Sequence, residues 1–160
     1  MLKEDFLDRL TKRIAICELH HHRMMFAKNS ISNMFPFSIE SYQELTDEQI
    51  SYTDQLIYRF SKLQDAIGNK LFPIILEGLQ EDIENLPFID ILSKIEKLGI
   101  IDSSNQWLIL REVRNIVTHE YPFQIYQLIE GLNQLNEQTV ILSKIWDTLK
   151  SYSKLRFEIR

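Results

Sequence analysis

The chain has 160 residues, 44% of them hydrophobic, and a formal net charge of -5. That length and apolar share suit one globular domain, residues 1–160, able to bury a core without staples. The acidic balance argues against a sequence-blind nucleic-acid binder, and a single cysteine, Cys17, excludes an intramolecular disulfide.

A reducing, cytoplasmic setting is therefore expected. The segment MLKEDFLDRL is charged and helix-patterned and lacks the apolar heart of a leader. No apolar run approaches the ~20 residues of a membrane span. The charge is unevenly spread. Glu40, Glu44, Asp47, Glu48 and Asp54 fall in a segment, 29–55, without Lys or Arg, whereas both ends of the chain are richer in basic side chains. A basic cleft within an acidic protein stays open, and so does a basic partner for the acidic segment.

Phe6, Leu10, Ile14, Cys17, His21 and Met24 recur at threes and fours, the spacing of one helix face. NSISNMFPFS breaks that pattern with Asn, Ser and Pro. Thr46 and Gln49 form a capping-box pair that opens a second helix. Its stripe is Leu56, Phe60, Leu63, Ile67 and Leu71, and Pro73 should kink it. ENLPFIDILSKIEKLG predicts a short helix stopped at Gly99. Ser103 and Gln106 repeat the capping-box pattern and start another. The last helix carries Ile125, Leu128, Leu132, Leu135, Thr139, Leu142, Trp146 and Leu149, a heptad-like seam with one polar break. Ile129, Ile141 and Ile145 widen the seam to a bundle-core face. With no strand alternation, the expected fold is all-α, an antiparallel bundle of about five helices.

The helix opened by Ser103 ends in LREVRNIVTHEYP, residues 110–122. At ~100° per residue, Leu110, Val113, Ile116 and Val117 fall on one side, and Arg111, Arg114, Asn115 and Thr118 share the other. His119 and Tyr121 flank that polar arc where the chain bends before Pro122. Pattern alone is compatible with a solvated face as well as with a site.

Arg114-Asn115-x-x-x-His119-x-Tyr121 resembles the Arg-x4-His-x-Tyr signature of HEPN domains of the HepT toxin type. YRFSKLQDAIGNKLFP and LGIIDSSNQWLILREVRNIVTHEYP resemble that family's second core helix and its motif helix, so the likeness covers roughly residues 50–122. The resemblance implies a HEPN-like helical domain and a homodimer. It also implies a cofactor-free, metal-independent endoribonuclease with an RNA substrate such as tRNA or mRNA.

Such a site would form across the homodimer, with Arg114 and His119 as catalytic residues. Asn115 and Arg111 would support them. A partner nucleotidyltransferase of the MNT antitoxin type would silence the toxin by transferring AMP to Tyr121. Imidazole suits proton transfer, with an unperturbed pKa of ~6.5. A guanidinium suits phosphate oxygens. Arg59 and Lys62 would line the approach and Asp65 would orient an arginine, unless all three are ordinary solvated charges.

Two other readings compete, beside that of a plain dimeric scaffold with no active cleft. CELHHH places Cys17 and His21 one helical turn apart, with His20 and His22 beside them, a partial ligand set for a metal. His20 and His22 point to other faces, and a structural zinc site wants four ligands. No metal site is expected there, and His21 fits a packed position on the apolar stripe. The alternative function is a non-catalytic helical subunit that binds a nucleotidyltransferase or presents substrates to it. That role would not require His119.

Overall fold

The computed structural model describes residues 2–118 and 124–159. Their elements are α1 (Leu2–Ile31), α2 (Ile39–Gln43), α3 (Asp47–Ala66), α4 (Phe72–Gly78), α5 (Phe88–Lys97), α6 (Ser104–Thr118) and α7 (Ile125–Phe157). No strand occurs among the described residues. α3 and α4 are joined without a break by a π-helical turn, Ile67–Leu71. The described residues thus form six helical rods rather than about five, the extra one being the five-residue α2.

Side-chain contacts fix the directions. Arg9 meets Glu77, His20 meets Arg59 and Phe26 meets Tyr52, so α1 runs antiparallel to α3 and α4. Glu18 meets Lys150, His21 meets Ser143 and Lys28 meets Asn136, so α1 also runs antiparallel to α7. Asp65 meets Arg114 and Phe72 meets Trp107, so α3–α4 and α6 run in opposite directions. The all-α antiparallel bundle expected from periodicity is present.

The predicted stripes form the core. Leu10, Cys17 and Met24 of α1, Leu56, Phe60 and Leu63 of α3, and Leu132, Leu135, Leu142, Trp146 and Leu149 of α7 are fully buried. Phe6, Ile14 and His21 lie at the edge of the α1 stripe, half-buried. Thr139, the polar break in the α7 seam, is also fully buried. Its hydroxyl donates to the Asn136 carbonyl at 2.6 Å and accepts from the Lys28 ammonium. Lys28 also donates to that carbonyl at 3.1 Å, and burial pulls its pKa down. An uncompensated threonine would weaken the seam, whereas this one closes a polar bridge between α1 and α7.

Helix ends follow the sequence closely. Thr46 Oγ1 accepts from Gln49 N at 3.2 Å and Gln49 Oε1 accepts from Thr46 N at 2.9 Å, a complete capping box. At α6, Ser103 Oγ accepts from Gln106 N at 3.0 Å, but Gln106 Oε1 turns to Asp102 N instead of closing the box. Gly99 stops α5 with φ +78°, a backbone region that glycine enters without steric cost. α1 runs three residues into the polar break, to Ile31, before a 3-10 turn. Pro73 stands in the first turn of α4, directly after the π turn. Proline cannot donate to the residue four back and crowds its carbonyl, and a wider turn removes that conflict.

His21 sits 3.0 Å from Ser143 Oγ, and burial depresses its pKa; burial beside the charges of Arg59 and Lys62 depresses that of His20. Depressed imidazoles favour the neutral form, so the unfolded chain binds more protons below its pKa of ~6.5. Their stabilising effect is complete above that pH and is lost as pH falls through ~6.5 toward the depressed folded values. The urea midpoint should drop between pH 7.5 and pH 5.5. Replacing both residues by His20→Gln and His21→Gln should flatten that dependence. An unchanged slope would show that neither ring is held neutral by the fold.

Candidate functional site

The polar face of α6 is built as its pattern predicts. Leu110, Val113 and Val117 are buried, Arg111 and Arg114 are half-buried, and Asn115 and Thr118 are exposed. Behind that face, Trp107 is fully buried against α4, its ring 4.8 Å from that of Phe72. On the far side, α7 comes close at Gly131, where an added Cβ would lie 2.6 Å from Ile116 Cγ2. The rear of α6 is therefore fixed by a tryptophan on one side and by a glycine contact on the other.

Arg114 is held from two directions. Its Nη1 donates to Asp65 Oδ1 across the α3–α6 boundary. Its Nε and Nη2 both donate to Asn115 Oδ1, at 3.2 and 3.0 Å. A guanidinium has five N–H groups, so among the described residues one hydrogen on each terminal nitrogen is without an acceptor. The side chain keeps 23% of its surface exposed. An oriented, permanently charged fork with donors left over can receive phosphate oxygens without first reorganising. Thr118 donates to the Arg114 carbonyl at 2.8 Å and occupies the last described turn.

The other expected positions divide. Asp65 orients an arginine, as its charge and spacing allow. Asn115 acts on the adjacent Arg114 side chain. Arg111 turns away from the Arg114 fork, with its guanidinium carbon 4.9 Å from the centre of the Phe88 ring on α5. Arg59 and Lys62 both border Tyr58, at 5.2 and 5.6 Å from its ring centre. Arg59 Nη1 also donates to His20 Nδ1 at 2.9 Å. Arginine cannot accept, so His20 offers a lone pair there and, when neutral, carries its proton on Nε2. His119 and Tyr121 lie outside the described residues, as do Glu120 and Pro122.

Tyr58 was not singled out by sequence reasoning. A signal was present, since it precedes Lys62 by four residues and Asp65 by seven on the side of α3 away from the Leu56–Phe60–Leu63 stripe.

The histidine-rich stretch of α1 does not converge. His20 faces Arg59, His21 faces Ser143 and His22 is exposed. Burial pushes the Cys17 thiol up to about 12, away from the thiolate that a metal would need. Among the described residues no group of three or more His, Cys, Asp or Glu side chains is placed to hold a metal ion. No described helix is long and apolar enough to cross a membrane. No protein-family model matches the chain, and no curated protein or solved structure matches it either.

Proposed function

We propose that the chain is a metal-independent endoribonuclease of the HepT toxin type, acting as a homodimer through Arg114 and His119. The observation that supports this reading most directly is the Arg114 fork, clamped by Asp65 and Asn115 with two N–H donors unused among the described residues. Exposed arginines that serve only solubility sample many rotamers, and fixing one has an entropic cost of about 2 kcal/mol at most. A guanidinium fixed in this way is suited to a ligand of defined geometry.

RNA supplies its own nucleophile. One His119 takes the proton of a 2′-hydroxyl while the oxygen attacks the adjacent phosphorus. The bond from phosphorus to the 5′-oxygen breaks, and a second protonated imidazole gives that oxygen its proton. The products are a 2′,3′-cyclic phosphate and a free 5′-hydroxyl. Arg114 neutralises charge on the non-bridging oxygens throughout. One imidazole serves poorly as base and acid in a single step, and a two-fold pair of α6 helices supplies a second His119. In this reading Arg111 stays at the rim on Phe88, outside the reacting group.

Cleavage of RNA by the purified chain should persist in excess chelator, because arginine supplies the charge and histidine the proton transfers. Loss of cleavage in chelator, restored by a divalent ion, would overturn that assignment. Sedimentation at micromolar concentration should give a dimer.

A partner nucleotidyltransferase of the MNT type would silence the enzyme at Tyr121. AMP placed there adds negative charge and bulk two residues from His119. It would compete with RNA phosphate for Arg114. Intact mass after incubation with the partner and ATP should rise by AMP units in the wild type and not in Tyr121→Phe. Equal labelling of both proteins would move the modification to another residue.

A further inference from the structure

We infer that Tyr58, with Arg59 and Lys62, forms a base-stacking subsite that holds a nucleotide of single-stranded RNA on its way to Arg114. The inference rests on the ribonuclease reading and adds to it where the substrate lies.

The local chemistry carries it. Tyr58 stands on the outer face of α3 with 52% of its surface exposed, although two cations lie against it. A large aromatic ring left this open in a soluble helix has a face available for a planar partner. Arg59 lies 5.2 Å and Lys62 5.6 Å from its centre. Neither cation forms an ion pair with a carboxylate among the described residues. An aromatic platform flanked by cations is how proteins hold unpaired nucleotides, the ring taking the base and the cations the backbone. His20 gives Arg59 a fixed perch at 2.9 Å, and its imidazole is kept toward the neutral form by burial and by these same two cations. The cluster thus holds unneutralised positive charge inside a chain whose net charge is -5.

The placement connects the cluster to the candidate active site. At 100° per residue, Tyr58, Lys62 and Asp65 share an arc of about 60° on α3. Asp65 holds Arg114. Seven residues of helix rise about 10 Å, which is about three stacked nucleotides at roughly 3.4 Å each. A strand that stacks one base on Tyr58 can therefore present a phosphate to the Arg114 fork. The acidic segment marks where the platform ends, since Asp54 sits one turn before Tyr58 and would repel backbone extending that way.

The test is fluorescence anisotropy with a 5′-labelled single-stranded RNA octamer and the full-length chain, with cleavage measured in parallel. Tyr58→Ala should weaken binding about tenfold, and Tyr58→Trp should restore it, because stacking needs the ring and not the hydroxyl. Lys62→Ala should lower the slope of log affinity against log salt by about 0.7, the signature of one phosphate contact on a single strand. Affinity for a dinucleotide, too short to span both places, should fall less in Tyr58→Ala than affinity for the octamer. Affinity for duplex RNA of the same sequence should be equal in wild type and Tyr58→Ala, since its bases are already stacked.

Octamer binding unchanged in Tyr58→Ala overturns the subsite, and if Arg114→Ala still abolishes cleavage the ribonuclease reading survives it. Tyr58-dependent binding with cleavage untouched by Arg114→Ala leaves the subsite standing and removes the catalytic assignment. Absence of any RNA binding by the wild type removes both. A Tyr58→Ala chain that loses its dimer, with RNA affinity per dimer intact, would make this face a contact between two copies instead.

Discussion

Arg114→Ala is expected to reduce RNA cleavage by about 10²–10³-fold or more, the loss seen when one preorganised donor to a developing anion is removed. The variant should keep its helical content and its dimer. Arg114 is partly exposed and its partner Asp65 is 40% exposed, so the ion pair itself contributes about 1 kcal/mol or less to stability. Arg114→Lys separates charge from geometry. Lysine carries the charge, but a single ammonium on a flexible stem cannot bridge Asp65 and Asn115 and also present paired donors. Its activity should stay close to that of Arg114→Ala. His119→Ala should remove a comparable factor, within the 10²–10⁴ range of general acid–base catalysis. Asp65→Asn keeps an acceptor and loses the charge that fixes the fork, so it should lower turnover by a smaller factor. Wild-type turnover in both Arg114 variants would return the polar face of α6 to an ordinary solvated surface.

Much of this geometry was legible in the chain, and the illegible part has physical causes. The core stripes of α1, α3 and α7 follow from spacing alone, because burial selects the apolar face whatever the partner. The Thr46–Gln49 box and the Gly99 stop were readable because capping is local. Asp65 could be named as an orienting group from its charge, but which arginine it meets depends on how α3 crosses α6. The Asn115 contact ran against local expectation. Neighbours in a helix do not normally face each other, and only a guanidinium bent back along its own helix reaches the next side chain. Arg111 shares the polar arc of Arg114 on a helical wheel yet lies on Phe88, because α5 packs against that part of α6. α2 was hidden by its length, since five residues give no periodicity. Its signal was the pair Ser38 and Ser41, which cap it reciprocally.

Trp107→Ala is expected to cost about 3–5 kcal/mol of stability, the range for removing a fully buried large aromatic side chain. The effect should reach the candidate site as well as the core. Trp107 lies on Gly68 in the π turn, where an added Cβ would stand 2.9 Å from Trp107 Cζ2 and 3.2 Å from Nε1. That contact sets how closely α6 approaches α3, and it lies one turn from Asp65 on α3 and two turns from Arg114 on α6. Gly68→Ala attacks the same contact from the other side. The tryptophan ring is packed on Phe72 and has little room to retreat, so overpacking should cost about 1–3 kcal/mol. Both variants should lose cleavage beyond what unfolding explains, measured at a temperature where each is still folded, because the Asp65–Arg114 bond depends on the spacing that Trp107 and Gly68 maintain. Urea denaturation gives the stability change, and cleavage per folded dimer gives the coupling. Full activity in a folded but destabilised Trp107→Ala would show that α6 finds its position through α7 and the Gly131 contact alone.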